Sequence, residues 1–247
     1  MITVQFSTRA WVQQVMGLPI SVHVRADDTE RSDIAHAVDD VFATLRRADD
    51  TFSTWRADSE LMQLRQGRLT RASEWMHRVQ SLCSTAALAT DGLFTTDLVG
   101  PDGTRAFDPT GLVKAWAVTE AAASLRDIDN LAFSINAGGD ILCGSTSPEQ
   151  FPAWRIGIED PADRSTIASV VEVSEGAVAT SGSAARGAHI VDPRTGGTVQ
   201  QSFSTTITGP SLLWADIWAT TTFIDPTALD GRGEWSDYRL TVTCPRR

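Results

Sequence analysis

An α+β architecture in one compact unit is the fold this chain predicts, on three observations. Apolar residues recur at helical spacing mainly between residues 33 and 123, strand-like alternation dominates from 133 to 208, and the two periodicities do not alternate as strict βαβ units would. No internal repeat, low-complexity tract or linker divides the 247 residues, so a single domain over 1–247 is expected. That length suffices to bury a sizeable core.

The elements follow in order. Val12 to Val24 alternates loosely, which predicts strands around a Met16-Gly17 turn. Asp33 is placed to cap a helix carrying Ile34, Val38, Val41, Phe42 and Leu45 on one face, with a loop from Asp49 to Ser59 after it. Trp75, Val79, Leu82, Ala86 and Ala89 mark a second helix, stopped by Asp91-Gly92. Leu112, Ala115, Trp116, Thr119 and Ala123 mark a third. Phe133 to Ala137 reads as a strand running into a double glycine, and Trp154 to Glu159 as a half-buried strand. Val170–Val173 and Ala177–Thr180 suggest a hairpin through Ser174-Glu-Gly176. Phe203 to Thr208 is a further strand, Pro210-Ser211 opens a fourth helix through Phe223, and Tyr238 to Cys244 closes the sheet.

Composition removes several functional classes. The formal net charge of -10 disfavours a sequence-independent nucleic-acid binder, which needs cations to neutralise phosphates. No window reaches the apolar length of a membrane span. The N-terminal residues lack a basic start, an apolar core and a cysteine for lipid attachment, so the cytoplasm is the default expectation. Cys83, Cys143 and Cys244 are odd in number and widely spaced, which fits free thiols better than a disulfide scaffold or a zinc site.

Four segments carry candidate chemistry. In Asp108-Pro-Thr-Gly-Leu-Val-Lys114, glycine permits close backbone approach, and the following helix start offers N–H groups and a positive dipole end to phosphate. Lys114 falls in the first turn, where a cation is normally disfavoured and a bound anion would compensate. Asp108 could equally be a plain cap and Lys114 a solvated side chain. Gly138 and Gly139, in Asn136-Ala-Gly-Gly-Asp140, serve either a cofactor approach or a tight turn between strands.

Asp216 and Thr220 lie four apart, on one face of an otherwise apolar helix. A carboxylate and a hydroxyl there suit a hard cation such as Mg²⁺. A hydrogen bond between the two, or a salt bridge from Asp216 to an arginine, would serve as well. Thr180-Ser181-Gly182 precedes His189, which sits at a strand–loop boundary and could act as a general base. Trp55, in a polar loop, could stack on a flat ring.

Taken in order, these segments closely resemble the ApbE family, the FAD:protein FMN transferases, over nearly the whole chain. The resemblance implies a T-fold-like α+β architecture with mixed or antiparallel sheets and packed helices. It implies Mg²⁺-dependent transfer of FMN from FAD to a threonine or serine hydroxyl of a partner flavoprotein, with release of AMP. It further implies that Met16, Leu93, Phe94, Asp108, Lys114 and Ile190 contact FAD, with Trp55 standing where the family usually has tyrosine. Thr180, Ser181 and His189 lie beside the flavin and the attacking hydroxyl. Gly111 supplies a carbonyl, and Asp216 and Thr220 side chains, to the metal. His189 is the expected base, with Asp216 the alternative. Thr95 replaces a family aspartate, which puts one polar contact to FAD in question. Ala115, Pro109 and Thr110 also depart from the commonest form. Hydrolysis of FAD to FMN and AMP, or FAD binding without catalysis, are the competing expectations.

Overall fold

The computed structural model describes residues 6–99, 103, 105–184, 187 and 190–245. Strands β1 (Ser7–Val15) and β2 (Leu18–Ala26) form a hairpin closed by Met16 and Gly17, both at positive φ (57° and 75°). Helix α1 (Ser32–Phe52) follows, then α2 (Glu60–Arg65) and α3 (Glu74–Ala89). A short ribbon of β3 (Asp97–Val99) and β4 (Arg105–Phe107) leads into α4 (Thr110–Ala121) and α5 (Ala123–Arg126). Next come β5 (Ala132–Ala137), β6 (Asp140–Ser145), β7 (Trp154–Glu159), β8 (Ile167–Val173), β9 (Gly176–Ser181) and β10 (Ser204–Gly209). Helix α6 (Leu212–Ile224), a 3₁₀ turn (Gly233–Trp235) and β11 (Arg239–Thr243) complete the chain.

One antiparallel sheet of seven strands, in the order β1-β2-β5-β6-β9-β10-β11, organises the molecule. Helix α4 contacts both α1 and α6, and all three helices contact the sheet. Helix α1 buries Ile34, Ala37, Val38, Val41, Phe42, Leu45, Ala48 and Phe52, the stripe that its three- and four-residue spacing dictates. Truncating one of these, such as Leu45→Ala, removes ~2–5 kcal/mol. Helix α6 is buried nearly all round, Trp218 included, because α4, β9 and β10 surround it. The β7–β8 ribbon packs Ile156 and Ile158 on Cys143 and Val178, so β6 and β9 are covered here as well.

Three expectations need correction. The first is the hairpin through Ser174-Glu-Gly176. Strand β9 pairs with β6 on one edge and β10 on the other, so neither edge is left for β8, which pairs with β7 instead. Gly176 makes the exit between sheets, at φ 125° and with a Cβ position 2.8 Å from the Gly209 carbonyl oxygen, a place for no other residue. The second is Asp33, which lies inside the first turn of α1. Its carboxylate accepts from the Ile34 amide at 2.9 Å and pairs with Arg31, so it complements the helix dipole without capping. The third is the loop start, since α1 runs past Asp49 to Phe52.

The expected stop at Asp91-Gly92 is present. The Gly92 amide reaches back to the Ala87 carbonyl at 2.8 Å, with Asp91 left-handed at φ 51°, which is a Schellman end.

Candidate active site

Sheet and helices converge on one open cleft of about 1160 Å³. The β1–β2 turn supplies Met16 to its wall, the α1–α2 loop Trp55, and the stretch after α3 Leu93, Phe94 and Thr95. Helix α4 supplies Gly111 and Lys114, with Asp108 just ahead of it. The β5–β6 turn supplies Gly138 and Gly139, the end of β9 Thr180 and Ser181, and α6 Asp216 and Thr220, with Ile190 beside them. Every site residue expected from sequence that falls within the described residues therefore borders the same cleft. His189 lies outside the described residues.

The double glycine performs both roles expected of it. Gly138 and Gly139 sit at φ 67° and 101°, closing a tight turn in which the Gly139 amide donates to Asn136 Oδ1 at 2.9 Å. The same turn brings bare backbone to the cleft wall and aims the next residue, Asp140, inward.

Asp140 and Asp216 form the charged floor with Lys114. The ammonium of Lys114 contacts Asp140 Oδ2 directly and stands 3.5 Å from Asp216 Oδ2. The three side chains retain 16% (Lys114), 4% (Asp140) and 9% (Asp216) of their exposure, so little bulk water screens them. The other Asp140 oxygen accepts the Thr180 amide at 3.0 Å, which ties β6 to β9 at the cleft edge. The cationic partner of Asp216 is thus a lysine, where the sequence had suggested an arginine or Thr220. The Thr220 hydroxyl pairs with Ser181 Oγ at 3.3 Å.

Asp108 is held within the protein. Its Oδ1 accepts from the Thr110 amide (3.0 Å) and the Thr110 hydroxyl (2.6 Å), and its Oδ2 pairs with Arg65 at 3.1 Å. Asp108 is therefore a local cap that also borders the cleft. The α4 amides expected to be open to phosphate are largely engaged. Thr110 donates to Asp108, and Leu112 and Val113 donate to the Pro109 carbonyl. What α4 offers an anion is its dipole and Lys114, more than a row of free donors.

Trp55 is 96% exposed at the cleft mouth, an unusual position for the largest apolar side chain. Thr95, standing for the family aspartate, accepts the Asp97 amide at 3.2 Å. Gly111 is the second residue of α4, and a Cβ there would meet Phe94 at an ordinary 3.8 Å. Among the described residues, no three His, Cys, Asp or Glu side chains gather as a metal cluster. No helix among them is long and apolar enough to cross a membrane.

The sequence reading missed Asp140 as a site residue, although it quoted the segment. A composition signal was available for its partner. Of the 21 lysine and arginine side chains, 20 are arginine, so the sole lysine of the chain lies in this cleft. An ammonium differs from a guanidinium in being compact and strongly hydrated. The inward aim of Asp140 depends on the register β5 and β6 adopt, which local sequence does not display.

The family model described as the ApbE family matches residues 96–229. A FAD:protein FMN transferase of Vibrio cholerae is 30% identical over 123 residues, covering 46% of this chain and 36% of that protein. The matched stretch thus spans about a third of that relative's length. Solved structures share the fold across nearly the whole chain. The ApbE protein of Thermotoga maritima superposes with a TM-score of 0.77 at 18% identity, covering 97% of both chains. The flavin transferase ApbE of Vibrio cholerae gives 0.74 at 20% identity, covering 97% of this chain and 98% of that one. The apo flavinyl transferase ApbE of Pseudomonas stutzeri gives 0.73 at 19% identity, covering 98% and 96%. Because the family model spans more than half of the residues, and the α+β arrangement with antiparallel sheets that the resemblance implied is the one observed, the chain belongs to the ApbE family.

Proposed function

We propose that this chain transfers FMN from FAD to a threonine or serine hydroxyl of a target flavoprotein, in a Mg²⁺-dependent reaction that releases AMP. The observation that carries the reading is the convergence of the residues expected to face FAD and the metal, which arrive from seven separate segments with Ile190 beside them, on one cleft floored by Lys114, Asp140 and Asp216. The name of the Vibrio cholerae relative supports the same activity.

The donor set fits Mg²⁺. Asp216 offers a carboxylate, Thr220 a hydroxyl and Gly111 a carbonyl with a second lone pair, all hard oxygens on the same cleft. When bound, the cation supplies Lewis acidity that offsets charge developing on the pyrophosphate.

The chain's own residues do the rest. Lys114, held shallow in the floor, sets a positive charge beside the pyrophosphate, and the α4 dipole adds to it. Gly138 and Gly139 let backbone approach the ligand without a side chain between. Trp55 covers the flat ring at the mouth. Ser181, paired with Thr220, fixes the wall nearest the attacking hydroxyl. His189 takes the proton of that hydroxyl, since a cation on Asp216 would make that carboxylate a poor base. His189→Ala should therefore lower transfer by ~10²–10⁴-fold with FAD saturating. Near-normal transfer in that variant would remove the assignment.

The deciding test is incubation with FAD, Mg²⁺ and a candidate target domain, following AMP and target mass. AMP together with a target heavier by FMN supports transfer. AMP with free FMN indicates hydrolysis, and intact FAD with stoichiometric binding indicates a carrier.

A further inference from the structure

Asp140 belongs to none of the roles assigned above, yet it is a deeply buried charged group on the floor of the cleft. At 3% exposure it has one oxygen on the Lys114 ammonium and the other on the Thr180 amide. A carboxylate fixed at both oxygens does not rotate, so it fixes what it holds. Lys114 Nζ is thereby kept in direct contact with Asp140 and 3.5 Å from Asp216, so that Asp140 takes the shorter of its two ion pairs and Asp216 the longer.

We infer that Asp140 is a positioning residue that holds the ammonium of Lys114 in the shorter of its two ion pairs, so that Asp216 keeps only the longer one and can exchange it for a cation. The inference rests on the cation-binding role of Asp216 proposed above. Without the Asp140 charge, Asp216 is the carboxylate that remains within 4 Å of Lys114 among the described residues. Lys114 then closes on Asp216, and an incoming cation must displace it. Asp140 acts through Lys114 and does not itself hold the metal.

The sole lysine makes this measurable. Growth on nitrogen-15 lysine labels one side-chain nitrogen in the whole protein, so its resonance reports on Lys114 alone. The full chain is examined as wild type, Asp140→Asn, Asp216→Asn and the pair, without FAD. Asparagine keeps an acceptor for the Thr180 amide and removes only the charge; Asp140→Ser replaces it if the asparagine variant does not fold.

The Lys114 resonance should move in Asp140→Asn. Adding Asp216→Asn should then move it further than the same change does in wild type. Mg²⁺ titrated calorimetrically into wild type, Asp140→Asn, Lys114→Gln and Asp140→Asn/Lys114→Gln gives the second reading. The loss of affinity on Asp140→Asn should be roughly tenfold larger with Lys114 than with glutamine, a coupling ordinary for linked sites. A resonance unmoved by Asp140→Asn overturns the inference. So does an equal Mg²⁺ loss with and without Lys114, which would make Asp140 a ligand. If Mg²⁺ binds no variant while the resonance shifts appear as described, Asp140 stands as the holder of Lys114 and the cation role of Asp216 falls.

Discussion

Replacing Trp55 by alanine separates recognition from stability more cleanly than any other change in the cleft. The side chain is 96% exposed, so its removal takes almost nothing from the core, and stability should stay within ~0.5 kcal/mol. Stacking on one ring face would bury roughly half of a tryptophan's ~150–250 Å². At ~25 cal/mol per Å² that is worth ~2–3 kcal/mol. Ordering a free side chain costs ~1 kcal/mol of this. The remaining ~1–2 kcal/mol corresponds to ~5- to 30-fold weaker FAD binding in Trp55→Ala. Trp55→Phe should recover most of the loss, since a flat ring persists. The assay is a flavin-fluorescence titration alongside a denaturant melt of each variant. Unchanged FAD affinity with an unchanged melt would refute the stacking argument. A fall in stability well beyond ~0.5 kcal/mol would refute the premise that Trp55 stands free.

Other consequences follow from the same geometry. Asp216→Asn should abolish the Mg²⁺ response of turnover and lower the rate at least ~100-fold, read by AMP release across a Mg²⁺ series. Burial pushes the Cys83 and Cys143 thiols up to about 11, while Cys244 is exposed. Thiol titration of the native protein near pH ~8 should therefore count one reactive cysteine and, after denaturation, all three. Burial also holds His23 below its ordinary 6.5. The unfolded chain then takes up that proton first, so the stability contributed by neutral His23 is present above 6.5 and lost as pH falls through it toward the folded value. His23→Gln should flatten this part of the decline, seen in denaturant melts at about pH 7.5 and about pH 5.5.

What was legible in the sequence was whatever local pattern encodes. The stripe from Ile34 to Leu45, the stop at Asp91-Gly92, the turn at Met16-Gly17 and the apolar helix bearing Asp216 all come from spacing and turn chemistry, and all are present. Pairing partners were not legible. Val170–Val173 and Ala177–Thr180 look like a hairpin because they are adjacent, but β9 is already satisfied on both edges by strands distant in sequence. The same limit applies to the floor of the cleft. Lys114, Asp140 and Asp216 come from α4, β6 and α6, and only the folded sheet makes them neighbours. Asp108 was ambiguous between cap and ligand contact because one carboxylate serves the first role in Thr110 and Arg65 while still bordering the cleft.

The measurement closest to the central claim is mass spectrometry of a target domain after incubation with this protein, FAD and Mg²⁺, run beside Lys114→Met. The account expects the wild type to add one FMN to a single threonine or serine of the target, with matching AMP, and Lys114→Met to do so far more slowly. A target left unmodified while FAD is cleaved to free FMN, or while FAD stays intact across target domains drawn from several flavoproteins, would contradict it.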